Sequence, residues 1–273
     1  MYAMCVAICA GAFPRPGASV KADAMQERIW TAALVIIGDE ILSGRTQDAN
    51  LAYLAKWLGV QGIRLREVRV VSDDMDAIAE AVNALRVRHD YLFTTGGIGP
   101  THDDITVDAI AAALGREVIV HPDARAILAD HYGDQLTEAR LRMARTPAGA
   151  SLIENPRTKA PGIRVENIFI MAGVPMITQG MLAALDGQLE GGAPVLSRTV
   201  AAWTQESRVA DILRRVEKAN AGVQIGSYPF WREGRTGANF VMRATDPALL
   251  ADVAGQLMAA LNEAGIPPVD GEL

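Results

Sequence analysis

Uninterrupted runs of apolar residues alternate along the chain with segments in which apolar residues recur every three or four positions. The run at 32–37 has no polar interruption, which is typical of a strand covered on both faces. After Asp48, apolar residues at 51, 54, 55 and 58 follow the helical period, and further apolar runs occur at 63–71, 91–95 and 168–171. The alternation predicts a parallel α/β sheet with helices on both of its faces.

The regular alternation of predicted strands and helices ends at the Gly-Gly-Ala-Pro segment at 191–194, which disfavours both helix and strand. Beyond this cluster the pattern predicts a strand, a helix, two strands and a final helix, which is a small α+β unit. We therefore predict an N-terminal tail at 1–28 that is disordered, an α/β domain at 29–192 and an α+β domain at 193–273.

Composition and charge narrow the possible partners. Of the 273 residues, 26 are Lys or Arg and 32 are Asp or Glu, so the formal net charge is −6. Because proteins that grip duplex DNA usually carry a basic surplus, we expect no nucleic-acid partner. The apolar stretch at 1–13 is shorter than the ~20 residues of a membrane helix, so we expect a cytoplasmic protein without a membrane partner. Both cysteines, Cys5 and Cys9, lie in the N-terminal tail, so the rest of the chain cannot contain a disulfide framework.

Polar residues follow each of the first three predicted strands, at the sheet edge where ligands bind in open α/β folds. The third of these loops is rich in glycine at 96–99 and leads into a helix near Asp103. Exposed amides and a helix N-terminus make a site suited to phosphate, although a glycine loop taken alone is more often only a tight turn. It matches neither the P-loop nor the dinucleotide-binding pattern.

Acidic residues crowd the same predicted edge, where they would repel a bound phosphate unless a cation lay between them. Mg²⁺ is commonly held by one or two carboxylates together with phosphate oxygens, which makes Asp73 and Asp104 candidate metal ligands. The alternative is helix capping, which needs no ligand and applies above all to Asp74 and Asp103.

Two motifs carry a resemblance to a known family: GDEILSG at 38–44 and TTGGIGPTHDDIT at 94–106. They resemble the molybdopterin-binding domain of the competence/damage-inducible protein A (CinA) family. Further blocks in the order of that family occur at 155–162, 173–175 and 225–229, so the resemblance covers about 31–264. The family is related to the molybdopterin adenylyltransferases and to the N-terminal region of eukaryotic FAD synthase.

The resemblance implies a three-layer α/β/α molybdopterin-binding-like domain with a smaller C-terminal α+β domain. Some relatives hydrolyse the pyrophosphate of ADP-ribose or FAD, so we expect a metal-dependent hydrolase of a nucleotide pyrophosphate that uses Mg²⁺, Mn²⁺ or Co²⁺. The alternative is a non-catalytic protein that binds molybdopterin or a nucleotide. We also expect a homo-oligomer. The nicotinamide-nucleotide amidase domain of long CinA proteins has no counterpart in this sequence, and we do not expect its activity.

Strand-end position and resemblance together predict three groups of site residues. The predicted catalytic residues are Asp39, Glu40 and Asp104, and the predicted metal ligands are Asp73 and Asp104. The predicted phosphate- or substrate-binding residues are Gly38, Asn50, Thr95, Gly96, Gly97, Gly99, Pro100, Thr101, Thr106, Lys159 and Gly173. Lys159 and the dipeptide at 171–172 depart from the family pattern, which leaves the substrate open.

Overall fold

A computed structural model describes residues 28–273 of the chain. The predicted tail, apart from Arg28, and both cysteines lie outside the described residues. No helix in the described part is both long enough and apolar enough to cross a membrane.

The strands are β1 (Trp30–Ile37), β2 (Ile63–Val71), β3 (Tyr91–Thr95), β4 (Val118–Val120), β5 (Arg145–Pro147), β6 (Ser151–Ile153), β7 (Gly162–Val165), β8 (Ile168–Met171), β9 (Leu196–Ala202), β10 (Gln224–Arg232), β11 (Arg235–Ala244) and β12 (Pro268–Asp270). The α-helices are α1 (Asp39–Leu42), α2 (Asn50–Val60), α3 (Met75–Arg86), α4 (Thr106–Ala113), α5 (Pro122–Tyr132), α6 (Glu138–Leu141), α7 (Pro175–Ala184), α8 (Glu206–Ala219) and α9 (Pro247–Glu263). Short 3₁₀ turns follow α5 at Gly133–Gln135 and α6 at Arg142–Ala144.

Six strands form the main sheet in the order β2-β1-β3-β8-β7-β6. The strands β2, β1, β3 and β8 are parallel, as the alternation of runs and helical segments predicts. The strand β7 pairs antiparallel with both β8 and β6, so the expectation of a wholly parallel sheet is wrong at this edge. The reason is local: β7 returns into β8 through only two residues at 166–167, and so short a connection joins antiparallel neighbours.

Side chains from the two faces of the main sheet enter two different hydrophobic clusters. On one face, Leu92 of β3 packs with buried residues of α3 and α4. On the other face, Phe93 packs with residues of α2 and α7 and stacks on Phe169 of β8, with the ring centroids 4.9 Å apart. Helices therefore cover both faces and make three layers, which confirms the predicted fold class.

The C-terminal part of the chain has its own sheet, in the order β10-β11-β9-β12, with every neighbouring pair antiparallel. Its hydrophobic core is separate from those of the main sheet and combines buried residues of β9, β11, α8 and α9, such as Phe240 and Leu257. This arrangement is the α+β unit that the sequence pattern after residue 194 predicts.

One short strand lies outside the main sheet, and one predicted helix start differs from the structure. The strand β4 pairs with β5 in a separate two-stranded ribbon instead of joining the main sheet. The helix predicted to begin near Asp103 begins at Thr106, because the residues before it form a turn in which the carboxylate of Asp104 accepts a hydrogen bond from the amide of Thr101.

Candidate functional site

Three loops meet at the carboxyl edge of the parallel strands. The amide of Gly38, directly after β1, donates to the carbonyl of Val71 at the end of β2 at 3.1 Å. The amide of Asp39 then donates to Oδ2 of Asp73 at 2.9 Å. After β3, the amide of Gly96 donates to the carbonyl of Met171 at the end of β8 at 3.2 Å. Parallel register thus brings together segments that lie far apart in the sequence.

The loop between β3 and α4 needs glycine at two successive positions. Gly96 has φ 105°, and a Cβ there would lie 2.1 Å from the carbonyl oxygen of Ile37. Gly97 has φ 66°, and a Cβ there would lie 2.2 Å from Oγ1 of Thr106. A side chain at either position would therefore have to displace the end of β1 or the start of α4.

Hydrogen bonds from the start of α4 hold this loop. Thr106 is buried; its Oγ1 donates to the carbonyl of Gly96 at 2.9 Å, and its amide donates to the carbonyl of Gly97 at 3.1 Å. Further along the loop, Asp104 accepts from both the amide and the hydroxyl of Thr101. Within residues 28–273, the amides of 97, 98 and 99 make no hydrogen bond, so three donors of this loop stay available to a ligand.

A cavity of about 620 Å³ opens beside the loop. Much of its wall is apolar, with Ile98, Val174, Ile177 and Met181 among the lining side chains. The full set of lining residues is Glu40, Thr46, Gly96, Gly97, Ile98, Gly99, Pro100, Asp104, Tyr132, Arg140, Met143, Asn155, Thr158, Ala160, Pro161, Ala172, Gly173, Val174, Pro175, Ile177 and Met181. Donors at one part of a largely apolar wall are typical of a small-molecule site.

The predicted site residues divide between this cavity and its supports. Those that line the cavity are Glu40, Gly96, Gly97, Gly99, Pro100, Asp104 and Gly173. Those that do not line it are Gly38, Asp39, Asn50, Asp73, Thr95, Thr101, Thr106 and Lys159.

Several of the second group support the first through hydrogen bonds. Asn50, buried at the start of α2, donates through Nδ2 to the carbonyl of Gly173 at 2.8 Å. Thr106 donates through its hydroxyl to the carbonyl of Gly96, and Thr101 donates through its amide to the carboxylate of Asp104. Lys159, by contrast, is exposed and has a left-handed backbone with φ 62°.

The lining residues that the sequence did not predict include members of its motifs, residues of α7 such as Ile177 and Met181, and residues of the segment between β4 and β5. Ile98 and Asn155 lie inside motifs that carry the resemblance, so those motifs could have indicated them. Tyr132, Arg140 and Met143 come from the segment between β4 and β5. No motif or spacing in that segment marks them.

Acidic residues gather beside the cavity. Burial raises the pKa of the Asp73 carboxyl above its ordinary value, and the hydrogen bond from the amide of Asp39 opposes the rise. The negative charges of Asp39, Glu40 and Asp103 raise it further. Asp39, Glu40 and Asp103 therefore lie near Asp73, whereas the predicted pairing of Asp73 with Asp104 stays a prediction.

The donor set does not fit a metal ion held by the protein alone. Within the described residues, no group of three or more His, Cys, Asp or Glu side chains is arranged to hold a metal. The Oδ2 atoms of Asp104 and Asp73 already accept hydrogen bonds from Thr101 and Asp39. These residues offer at most a few oxygens to a cation that arrives with phosphate oxygens of a ligand.

Comparison with known proteins agrees with this architecture. A family model described as "Probable molybdopterin binding domain" matches residues 33–190, and a model described as "FAD synthase, middle domain" matches residues 194–270. Protein Ta0487 of Thermoplasma acidophilum is 32% identical over 210 residues, which cover 72% of this chain and 80% of the relative. Protein TK1472 of Thermococcus kodakarensis is 36% identical over 215 residues, which cover 72% of this chain and 85% of the relative.

A solved structure supports the same family assignment. The crystal structure of the protein CinA from Thermoplasma acidophilum, whose function is unknown, superposes with a TM-score of 0.55 at 35% identity. The match covers 59% of this chain and 99% of that one. The chain therefore belongs to the CinA-like family of proteins that carry a molybdopterin-binding domain.

Proposed function

We propose that the cavity binds a small phosphorylated ligand, a pterin of the molybdopterin type or a nucleotide, with its phosphate at the glycine loop. The observation that carries the proposal is the set of amides at 97, 98 and 99. These amides are without partners in the described chain, and the residues to which they belong line the cavity. Such amides bind phosphate oxygens without a lysine. The apolar part of the wall suits the remainder of the ligand.

The test is to measure binding by calorimetry with GMP, ADP-ribose, FAD and a pterin monophosphate as probes. We expect Gly97→Ala to weaken binding of every probe that the wild type binds, because the new Cβ would displace Thr106 and with it the loop. Gly255→Ala is the matched control, since that glycine lies in α9 with open space around it. Equal affinity in the wild type and Gly97→Ala would contradict the proposal, as would a wild type that binds none of the probes.

Hydrolysis of a nucleotide pyrophosphate is the second candidate function. It is favoured by the Glu40 carboxylate at the cavity wall, because a carboxylate held beside the ligand can accept the proton of an attacking water molecule. The assay measures release of AMP from ADP-ribose or FAD with Mg²⁺, Mn²⁺ or Co²⁺ added. We expect Glu40→Gln to lower the rate without weakening ligand binding. No turnover with any cation, together with tight binding, would leave binding as the function.

A further inference from the structure

The segment between β4 and β5 forms a small unit of its own beside the cavity. It contains α5, α6 and both 3₁₀ turns, packed around a local core of Ala124, Leu128 and Ala144. Tyr132 packs against this core and also lines the cavity. The unit therefore holds a cavity-lining aromatic ring on a packed support, which limits how far the ring can move.

An arginine lies against this ring. Cζ of Arg140 is 4.4 Å from the centroid of Tyr132, and Nη1 of Arg140 donates to the carbonyl of Gln135 at 2.6 Å. Arg140 is the one Lys or Arg among the lining residues of the cavity. Throughout 28–273 it forms no ion pair with a carboxylate. Its charge is thus available to a ligand that carries excess electron density.

Tyrosine and arginine together suit a flat heteroaromatic ring. An aromatic face and a guanidinium plane both stack on heterocycles, and such stacking needs no match of individual hydrogen bonds. Met143, Ile177 and Met181 line the same cavity and are apolar, so they would exclude water from such a ring. The amides of the glycine loop, in contrast, are donors that suit the oxygens of a phosphate.

We propose that Tyr132 and Arg140 determine the specificity of the cavity for ligands that carry a planar heteroaromatic ring in addition to a phosphate. The inference rests on the proposed binding function and adds to it the residues that recognise the ring of the ligand. Pterin and guanine share the same amino-oxo-pyrimidine ring, so either source satisfies the recognition, and separate probes distinguish them.

The experiment compares the affinities of three probes by calorimetry: GMP, a pterin monophosphate and ribose 5-phosphate, which has the phosphate but no ring. Loss of one aromatic stacking partner weakens binding of a base by roughly 5- to 100-fold in single-stranded nucleic-acid complexes. We expect Tyr132→Leu to weaken binding of GMP, the pterin monophosphate or both by about tenfold. Ribose 5-phosphate should bind Tyr132→Leu as it binds the wild type, because its contacts lie at the loop.

Two further variants separate recognition from support. Tyr132→Phe keeps the ring and should keep the preference for ring-bearing probes within about twofold. Tyr228→Leu is the matched control, since Tyr228 also contacts an arginine, Arg243, but lies outside the cavity. Thermal unfolding of each variant reports whether the local unit is intact.

The outcomes distinguish the inference from the function on which it rests. If the wild type binds GMP or the pterin phosphate and Tyr132→Leu loses ring-bearing and ringless probes equally, or loses neither, the inference is wrong and phosphate binding stands. If ADP-ribose or FAD is the ring-bearing probe that the wild type binds, the same comparison with Tyr132→Leu applies to it. If the wild type binds none of GMP, the pterin phosphate, ADP-ribose and FAD, both are wrong. A selective loss of GMP alone or of the pterin phosphate alone supports the inference and identifies the ring.

Discussion

Two buried threonines offer a matched measurement of what holds the glycine loop. Oγ1 of Thr106 donates to the carbonyl of Gly96 at 2.9 Å, whereas Oγ1 of Thr94 is equally buried and has no partner in the described chain. Replacement by valine keeps the shape of either side chain and removes the hydroxyl. At Thr106 the change leaves a buried carbonyl unpaired, and we expect the free energy of unfolding to fall by about 1–3 kcal/mol. At Thr94 it removes a hydroxyl that is already unpaired, so the free energy of unfolding should stay the same or rise.

Urea and thermal denaturation of the two variants measure this difference. A change of 1 kcal/mol shifts Tm by roughly 2–4 °C in a protein of this size, so Thr106→Val should melt several degrees below Thr94→Val. Calorimetry with GMP adds a second readout, in which only Thr106→Val should weaken binding, because only that change frees Gly96 and the loop. A Thr106→Val protein as stable as the wild type, or a Thr94→Val protein that loses more stability, would refute the hydrogen-bond account of the loop.

Three smaller predictions follow from other polar contacts. Asn50→Asp replaces the donor to the carbonyl of Gly173 by an acceptor, and urea denaturation at pH 7 should show a loss of about 1–3 kcal/mol. Asp74→Ala removes a helix N-cap and should cost about 1 kcal/mol, whereas Asp103→Ala, which removes no cap, should cost less than about 0.5 kcal/mol. Because the pKa of Asp73 is raised, its ionisation destabilises the folded state as the pH rises, so Asp73→Asn should raise Tm at pH 7 by about 1–2 °C. That gain should vanish below about pH 3, where the carboxyl is protonated in both states; a gain that persists there would contradict the assignment.

The parts of the fold that the sequence predicts are those whose signals are local. The apolar runs of β1 and β3 are buried on both faces in the structure, as an uninterrupted run predicts. Asp74 accepts from the amide of Ala77, so its predicted role as a helix cap is confirmed. In each case the residues that form the sequence pattern also form the strand or the helix cap, so no contact with a distant segment has to be known in advance.

The parts that the sequence does not predict depend on contacts between distant segments. β7 has only four residues, too few for a strand period to show, and its direction follows from the tight return into β8. Tyr132 and Arg140 meet because α5 and α6 pack on a local core, and neither belongs to a recognisable motif. The roles predicted for Asp104 and Lys159, the metal dependence and the homo-oligomer stay predictions.

The position of Ile98 links the glycine loop to the whole α/β domain. Its side chain packs against both hydrophobic clusters, one on each face of the main sheet. Gly96 is fixed at the same time by its hydrogen bond to Met171 and by the hydroxyl of Thr106. A loop held from three directions has little conformational freedom left to lose when a ligand binds, so more of the contact energy appears as affinity. We therefore expect the amides at 97–99 to bind an anion more tightly than a flexible loop would, which offsets part of the repulsion from Glu40 and Asp104 in the same cavity.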